Sequence, residues 1–273
     1  MSTDARSAHV DLPTVIAISA LAYTLANIVH EGLGHGGACV LVGARPTVLN
    51  AIFFEYDESA ATLVQQRWIS AGGSIANVLV GLPILRLLRR EGLPSSLRYF
   101  LWLFAAVNLL TAFGYLLYSG IGGIGDWAHV VQGLGSPWLL RGGMAIVGAV
   151  LYFIVAPRLL MPPLDPFLGT DPAVRAARAR MLCLIPYLAG GVSLVVAGIL
   201  NPYGLRVVLI SAVAAAFGGT SLLAWYPGIP RTAAAGTPAV PLALERSWAW
   251  IAAGAVVLTF FVVVLGPGLR LGS

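Results

Sequence analysis

Tyr99 to Gly125 reads YFLWLFAAVNLLTAFGYLLYSGIGGIG, twenty-seven residues without a charged side chain, ended by Asp126. A helix rises about 1.5 Å per residue and needs roughly 20 residues to cross the hydrocarbon of a bilayer. This stretch is long enough to cross. Six more charge-free runs follow the same rule: 12–29, 68–85, 142–157, 181–205, 207–230 and 247–269. Seven spans result. The first runs on past His30 to about Gly43, and the fourth is short and flanked by Gly142 and Gly143. Six spans plus a re-entrant piece is the alternative.

Composition agrees. Hydrophobic residues make up 58% of the 273-residue chain and charged residues 10%. Soluble domains are about one quarter charged, so this chain cannot coat a water-facing surface. A soluble enzyme, a nucleic-acid-binding module and a disordered protein are excluded. The expected class is an all-α polytopic membrane protein, a single transmembrane domain over 1–273 with the lipid bilayer as its partner. The net charge of +5 does not point to nucleic acid, because all sixteen basic residues are Arg and most lie between the apolar runs. The absence of Lys beside abundant Ala, Gly and Val suggests a GC-rich bacterial genome, hence a bacterial inner or plasma membrane. Cys39 and Cys183 both lie in apolar stretches, and no disulfide framework is readable.

With seven spans, eleven Arg fall on the side of the N-terminus and five (Arg45, Arg67, Arg141, Arg206, Arg270) on the other. The positive-inside rule then predicts a cytoplasmic N-terminus. Arg6 is the only cation before the first apolar run and no small-residue cleavage site follows it, so the first span is expected to be retained. Between spans, residues 44–64 are rich in Thr, Val, Ile, Phe and Tyr and predict a short strand hairpin at 44–60. Residues 161–178 begin Met-Pro-Pro-Leu-Asp-Pro and read as a loop ending in an Arg-rich helix start. Residues 227–241, rich in Pro, Gly and Ala, read as a linker. Gly-Ile-Gly-Gly-Ile-Gly at 120–125 predicts a broken or re-entrant segment near 120–130.

Ionisable residues at membrane depth are costly and functional by default. Five collect in two short segments, His30-Glu31-Gly32-Leu33-Gly34-His35 and Asp126-Trp127-Ala128-His129. The first is close to the zinc motif His-Glu-x-x-His, whose two His, four apart, share a helical face. Here the spacing is five, which on a regular helix leaves the imidazoles roughly 140° apart. A single π-bulge restores the facing, and glycines at 32, 34, 36 and 37 make it cheap. The competing reading keeps a regular helix and pairs Glu31 with His35, leaving His30 aside. Catalytic zinc usually takes three protein ligands. Asp126 is the candidate third, and His129, three residues on, is a fourth ligand, a supporting partner or a transition-state donor. A structural role is the plain alternative for His129, and a proton or ion pathway uses the same residue types.

Three pieces of the chain resemble the site-2 protease family of intramembrane zinc metalloproteases. Ile28-Val29-His30-Glu31-Gly32-Leu33-Gly34-His35-Gly36-Gly37-Ala38 is similar to the family's His-Glu-x-x-His-Ala run on its first core helix. Ala71-Gly72-Gly73-Ser74-Ile75-Ala76-Asn77 resembles its Ala-Gly-Pro-x-Ala-Asn stretch, and Asn108 with Gly125-Asp126 resembles its Asn…Asp-Gly region. The resemblance covers about residues 15–135, so 12–135 is expected to be a metalloprotease-like core. Residues 136–273 are expected to add helices of no assigned role. Departures are the extra residue between the His, Trp127 in place of the Gly after the Asp, no Pro before it, and the additional His129.

What the resemblance implies is a hydrolase, a zinc metallopeptidase. One Zn2+ per chain would be held by His30, His35 and Asp126, with Glu31 as general base and His129 or Asn77 as oxyanion donor. The substrate would be a membrane-embedded or membrane-adjacent peptide. For Asn77 the equal alternative is helix packing, because Gly72, Gly73, Ser74 and Ala76 form a small-residue face. Five ligand-type residues exceed what one zinc needs, which leaves open a second metal or iron and a non-peptide substrate. A transporter or non-catalytic pseudoprotease is the remaining alternative.

Overall fold

The computed structural model describes residues 9–229 and 231–271. Arg6, counted in the orientation reading, lies outside them. Seven helices are long and apolar enough to cross a membrane. In chain order the helices are α1 (Leu12–Leu41), α2 (Leu63–Leu87), α3 (Ser95–Gly122), the short α4 (Asp126–Val131), α5 (Pro137–Leu168), α6 (Pro172–Ile199), α7 (Leu205–Gly228) and α8 (Trp248–Leu265). All but α4 are span-length. The chain is an all-α, multi-pass membrane protein with seven spans.

The strand hairpin is present as β1 (Pro46–Leu49) and β2 (Phe54–Tyr56), antiparallel. A third strand, β3 (Leu269–Arg270), pairs with the free edge of β1, giving the order β2-β1-β3. Side chains fasten the hairpin to the helices. Asn50 donates to Gly266 O, Asn27 of α1 donates to Ala51 O, and Ala51 N donates to Leu265 O. The hairpin is thereby held against the middle of α1 and the end of α8.

The longest charge-free run becomes the central helix. Tyr99, Trp102, Leu103, Ala106, Leu109 and Leu110 of α3 are all buried. α3 packs against α1, α2, α5 and α7. Its polar side chains meet backbone carbonyls across helix boundaries: Tyr99 OH donates to Leu182 O and Trp102 Nε1 to Leu160 O. In hydrocarbon such pairing is required, since no water substitutes for a missing partner. The outward faces carry exposed apolar side chains such as Leu79, Leu82, Ile146, Phe153 and Val256, as a lipid-facing surface demands.

Two expectations are corrected. Residues 161–168 are not a loop: α5 runs through Pro162, Pro163 and Pro166 to Leu168 and stops at Gly169, whose φ is +75°. Prolines are tolerated in a buried membrane helix when neighbours or small local adjustments satisfy the freed carbonyls; the Trp102 indole adds a cross-helix donor at Leu160 O in the same stretch. Residues 227–241 are not a free linker. Arg231 binds Asp165, Ala234 N donates to Asp165 Oδ2, and Leu242 N donates to Pro166 O. The segment is a strap across the end of α5.

Asp11 fixes the start of the bundle. It caps α1 by accepting from Thr14 N (3.0 Å) and Thr14 Oγ1 (2.8 Å), and it pairs with Arg246 Nε (3.0 Å) just before α8. Burial raises its pKa, but the Thr14 donors and the Arg246 guanidinium outweigh this and hold it below the ordinary value. A depressed carboxyl contributes stability above the unfolded value, about 3.9, and loses it as pH falls through the folded value. The detergent melting temperature of the wild type should therefore drop from pH 5 to pH 3 more steeply than that of Asp11→Asn. Parallel curves would remove Asp11 from the acid response.

Candidate metal centre

Residues 29–36 of α1 form a π-helix, closed by Gly37 N donating to Gly32 O. The i→i+5 repeat brings residues five apart onto one face. His30 and His35 therefore converge, with Nε2 atoms 3.3 Å apart and rings edge-on at 4.8 Å between centroids. Of the two sequence readings, the bulged one describes the backbone; Glu31 and His35 are not the pair that meets.

The wider turn is stabilised by close helix contact. A Cβ on Gly34 would lie 2.5 Å from Gly73 Cα, and one on Gly72 would lie 2.4 Å from Gly34 O. A Cβ on Gly73 would stand 2.6 Å from His30 Cε1 and 2.7 Å from both Nε2 atoms. The small-residue face of α2 is thus both a packing surface and the floor under the two imidazoles.

Asp126 arrives from the break after α3. Gly123 (φ +65°) and Gly125 (φ +85°) turn the chain through backbone that side-chain-bearing residues rarely adopt. Arg141 of α5 donates to Gly120 O and Ile121 O, capping the freed carbonyls of α3. Trp127 Nε1 donates to Ser74 Oγ at 3.1 Å, which docks α4 on α2. Arg67 donates to Gln132 O beyond it. Asp126 Oδ2 then lies 3.2 Å from His30 Nε2 and 3.5 Å from His35 Nε2. His30, His35 and Asp126 are the group that offers three ligand atoms at metal-binding proximity among the described residues.

The donor chemistry of this triangle suits a cation. Each Nδ1 faces an acceptor oxygen: His30 meets Asn77 Oδ1 at 2.6 Å and His35 meets Ile69 O at 2.7 Å. A proton on each Nδ1 leaves each neutral Nε2 as a bare acceptor. Asp126 Oδ2 is buried and, among the described residues, has no polar partner besides the two Nε2 atoms. Three lone-pair atoms so face one another. Zinc bonds of about 2.0–2.1 Å in tetrahedral array place ligand atoms about 3.3 Å apart, and the three edges are 3.3, 3.2 and 3.5 Å. The residues fit zinc.

No protein-family model, curated protein or solved structure matches the chain.

Beside the triangle is a cavity of about 190 Å³, lined among others by Glu31, His129, Tyr115, Ser70 and Phe54. Glu31 is buried, and no hydrogen bond to its carboxylate is present among the described residues. His129 is exposed on α4 and borders this cavity, but it is not part of the ligand triangle. The expectation of a fourth ligand is not what its position provides.

Asn77 is also corrected. It is fully buried behind His30, and its Nδ2 is spent on Asn108 Oδ1 (2.7 Å) and Ala26 O (3.3 Å). It has no donor for an oxyanion; its amide oxygen instead orients His30. Asn108 completes the chain by donating to Phe104 O. Such partners of ligand imidazoles fix tautomer and ring orientation.

Tyr115 was missed by sequence reading. Its ring lies 4.9 Å from that of His30. A signal existed: Asn108, Thr111 and Tyr115, at i, i+3 and i+7, form one polar stripe on an otherwise apolar α3. Arg141 was read only as a flanking charge.

Two outcomes follow. Gly73→Ala should strip bound zinc from purified protein, measured by elemental analysis, because its methyl overlaps both Nε2 positions. Asn77→Ala should weaken zinc affinity about 10–100-fold in a chelator competition, while stoichiometry at saturating zinc stays that of the wild type. Undiminished affinity would show that Asn77 only packs.

Proposed function

We propose that this protein is a membrane-embedded, zinc-dependent hydrolase, an intramembrane metallopeptidase of site-2 protease type. The observation that carries the reading is the convergence of His30 Nε2, His35 Nε2 and Asp126 Oδ2, each side chain held from behind, next to a buried carboxylate. The resemblance of 28–38, 71–77 and 108–126 to that family supports it.

His30, His35 and Asp126 would hold the ion. When bound, zinc supplies Lewis acidity and lowers the pKa of water at the centre toward neutrality. Glu31 follows His30 directly and lines the reaction cavity. Its carboxylate takes a proton from water as the water oxygen bonds to the scissile carbonyl carbon. It then delivers that proton to the amine nitrogen as the C–N bond breaks. His129, at the cavity edge, donates to the carbonyl oxygen as charge develops there. Trp127 and the glycine break hold Asp126 against α2, and Asn77 holds His30.

A second cavity, about 300 Å³ and mainly apolar, shares Tyr115, Asp126 and Ser211 with the first. It lies between α3, α5 and α7. An apolar segment of a membrane-embedded or membrane-adjacent peptide suits it. The Arg distribution supports a cytoplasmic N-terminus and the absence of Lys a bacterial inner membrane; the metal centre would then lie nearer the opposite face.

The test uses detergent-purified full-length protein. Wild type should carry about one zinc per chain, and His35→Ala and Asp126→Ala should lose it. Glu31→Gln should keep zinc and cleave transmembrane peptides about 10²–10⁴-fold more slowly than wild type. Metal-free wild type under conditions that retain zinc would sink the metalloenzyme reading. Full activity in Glu31→Gln would sink Glu31 as the base.

A further inference from the structure

The far end of the bundle carries a second built cavity. α5 starts beside α4 and runs 32 residues, roughly 45–50 Å of helix, before ending near α6 and the end of α7. There the chain lines a half-open hollow of about 470 Å³. Two charged side chains line this space, Arg175 and Arg231, and no acidic side chain does.

Asp165 lies behind them, 1% exposed. It accepts from Arg175 Nη2 at 2.7 Å and from Arg231 Nη2 at 2.9 Å. Two guanidiniums against one carboxylate leave one net positive charge. Each guanidinium has five N–H donors. Contacts with Asp165, Gly169 and Tyr226 use two on Arg175 and three on Arg231 among the described residues. Arg231 keeps part of its surface open, at 24% exposure. Thr170 and Thr232 add hydroxyls, while Met161, Leu168 and Ile229 supply apolar wall.

A purely structural ion cluster closes on its charges. This one keeps a hollow in front of two cations, with Asp165 presenting the guanidiniums toward it. The cavity lies where three spans meet the strap that follows α7, at the ends of those helices, on the side of the bundle to which seven spans assign ten of the fifteen described Arg. Basic pockets between membrane helices on such a side suit anionic headgroups. We propose that this cavity binds the phosphate of an anionic phospholipid, with the guanidiniums on the phosphate oxygens and the glycerol and upper acyl chains on the apolar wall.

The inference is independent of the metal centre. Its test is native mass spectrometry of the full-length protein in neutral detergent, titrated with short-chain phosphatidylglycerol, phosphatidylcholine or inorganic phosphate. Phosphatidylglycerol should bind at least about five-fold more tightly than phosphatidylcholine. Arg231→Gln should abolish that preference, Arg231→Lys should keep most of it, and Ala176→Phe should block uptake by filling the space without changing charge. Melting temperatures near that of the wild type show that the variants are folded. A preference that survives both Arg231→Gln and Ala176→Phe overturns the proposal. So does equal stabilisation by inorganic phosphate alone, which would mark a soluble-anion site.

Discussion

Three electron-pair donors held together inside a membrane protein constrain everything around them. Left to themselves two neutral imidazole nitrogens and a carboxylate oxygen repel at 3.2–3.5 Å, and low dielectric strengthens that repulsion. Keeping them there requires rigid backing on every side. α1 gives up regular hydrogen bonding over 29–36, α2 presents bare glycine so that the rings can lie against its backbone, and α3 ends early so that Asp126 can turn inward. Each is costly alone and consistent only with the other two.

The support extends outward by hydrogen bonds that a hydrocarbon environment makes obligatory. His30 leans on Asn77, Asn77 on Asn108, and Asn108 on the Phe104 carbonyl. Polar groups that a soluble protein could leave to water are paired here in sequence, so the ligand geometry is transmitted from the centre of α3. Arg141 serves the same logic where α3 breaks, because the unwound carbonyls need donors.

The second half of the chain is part of this design. α5 and α7 wall the apolar cavity next to Asp126, and α8 packs so closely on α1 that a Cβ at Gly254 would meet Ala17 O at 2.6 Å. Its C-terminal strand completes the sheet over the hairpin. The two ends of the bundle differ in character: one gathers ligand-type residues around a cavity, the other guanidiniums around Asp165.

Local composition alone determined the membrane class and a count of six or seven spans, because long charge-free runs have one physical use; the structure decided for seven. Composition also determined the hairpin, the glycine break before Asp126 and the segments bearing His30, Glu31, His35 and Asp126, since ionisable residues at membrane depth stand out. Tertiary structure decided the rest. A spacing of five between His30 and His35 admits a bulge or a regular helix; the folded chain has the bulge, at the place where Gly34 packs on Gly72 and Gly73. Asn77 has the same identity as oxyanion donor or histidine support; its neighbours Ala26 and Asn108 consume its donors. Three prolines in 162–166 read locally as a loop, whereas the strap that binds Asp165 and Pro166 holds them as a helix end. Tyr115 and Arg141 carry no motif, and their positions follow from packing, which joins residues that the chain keeps far apart.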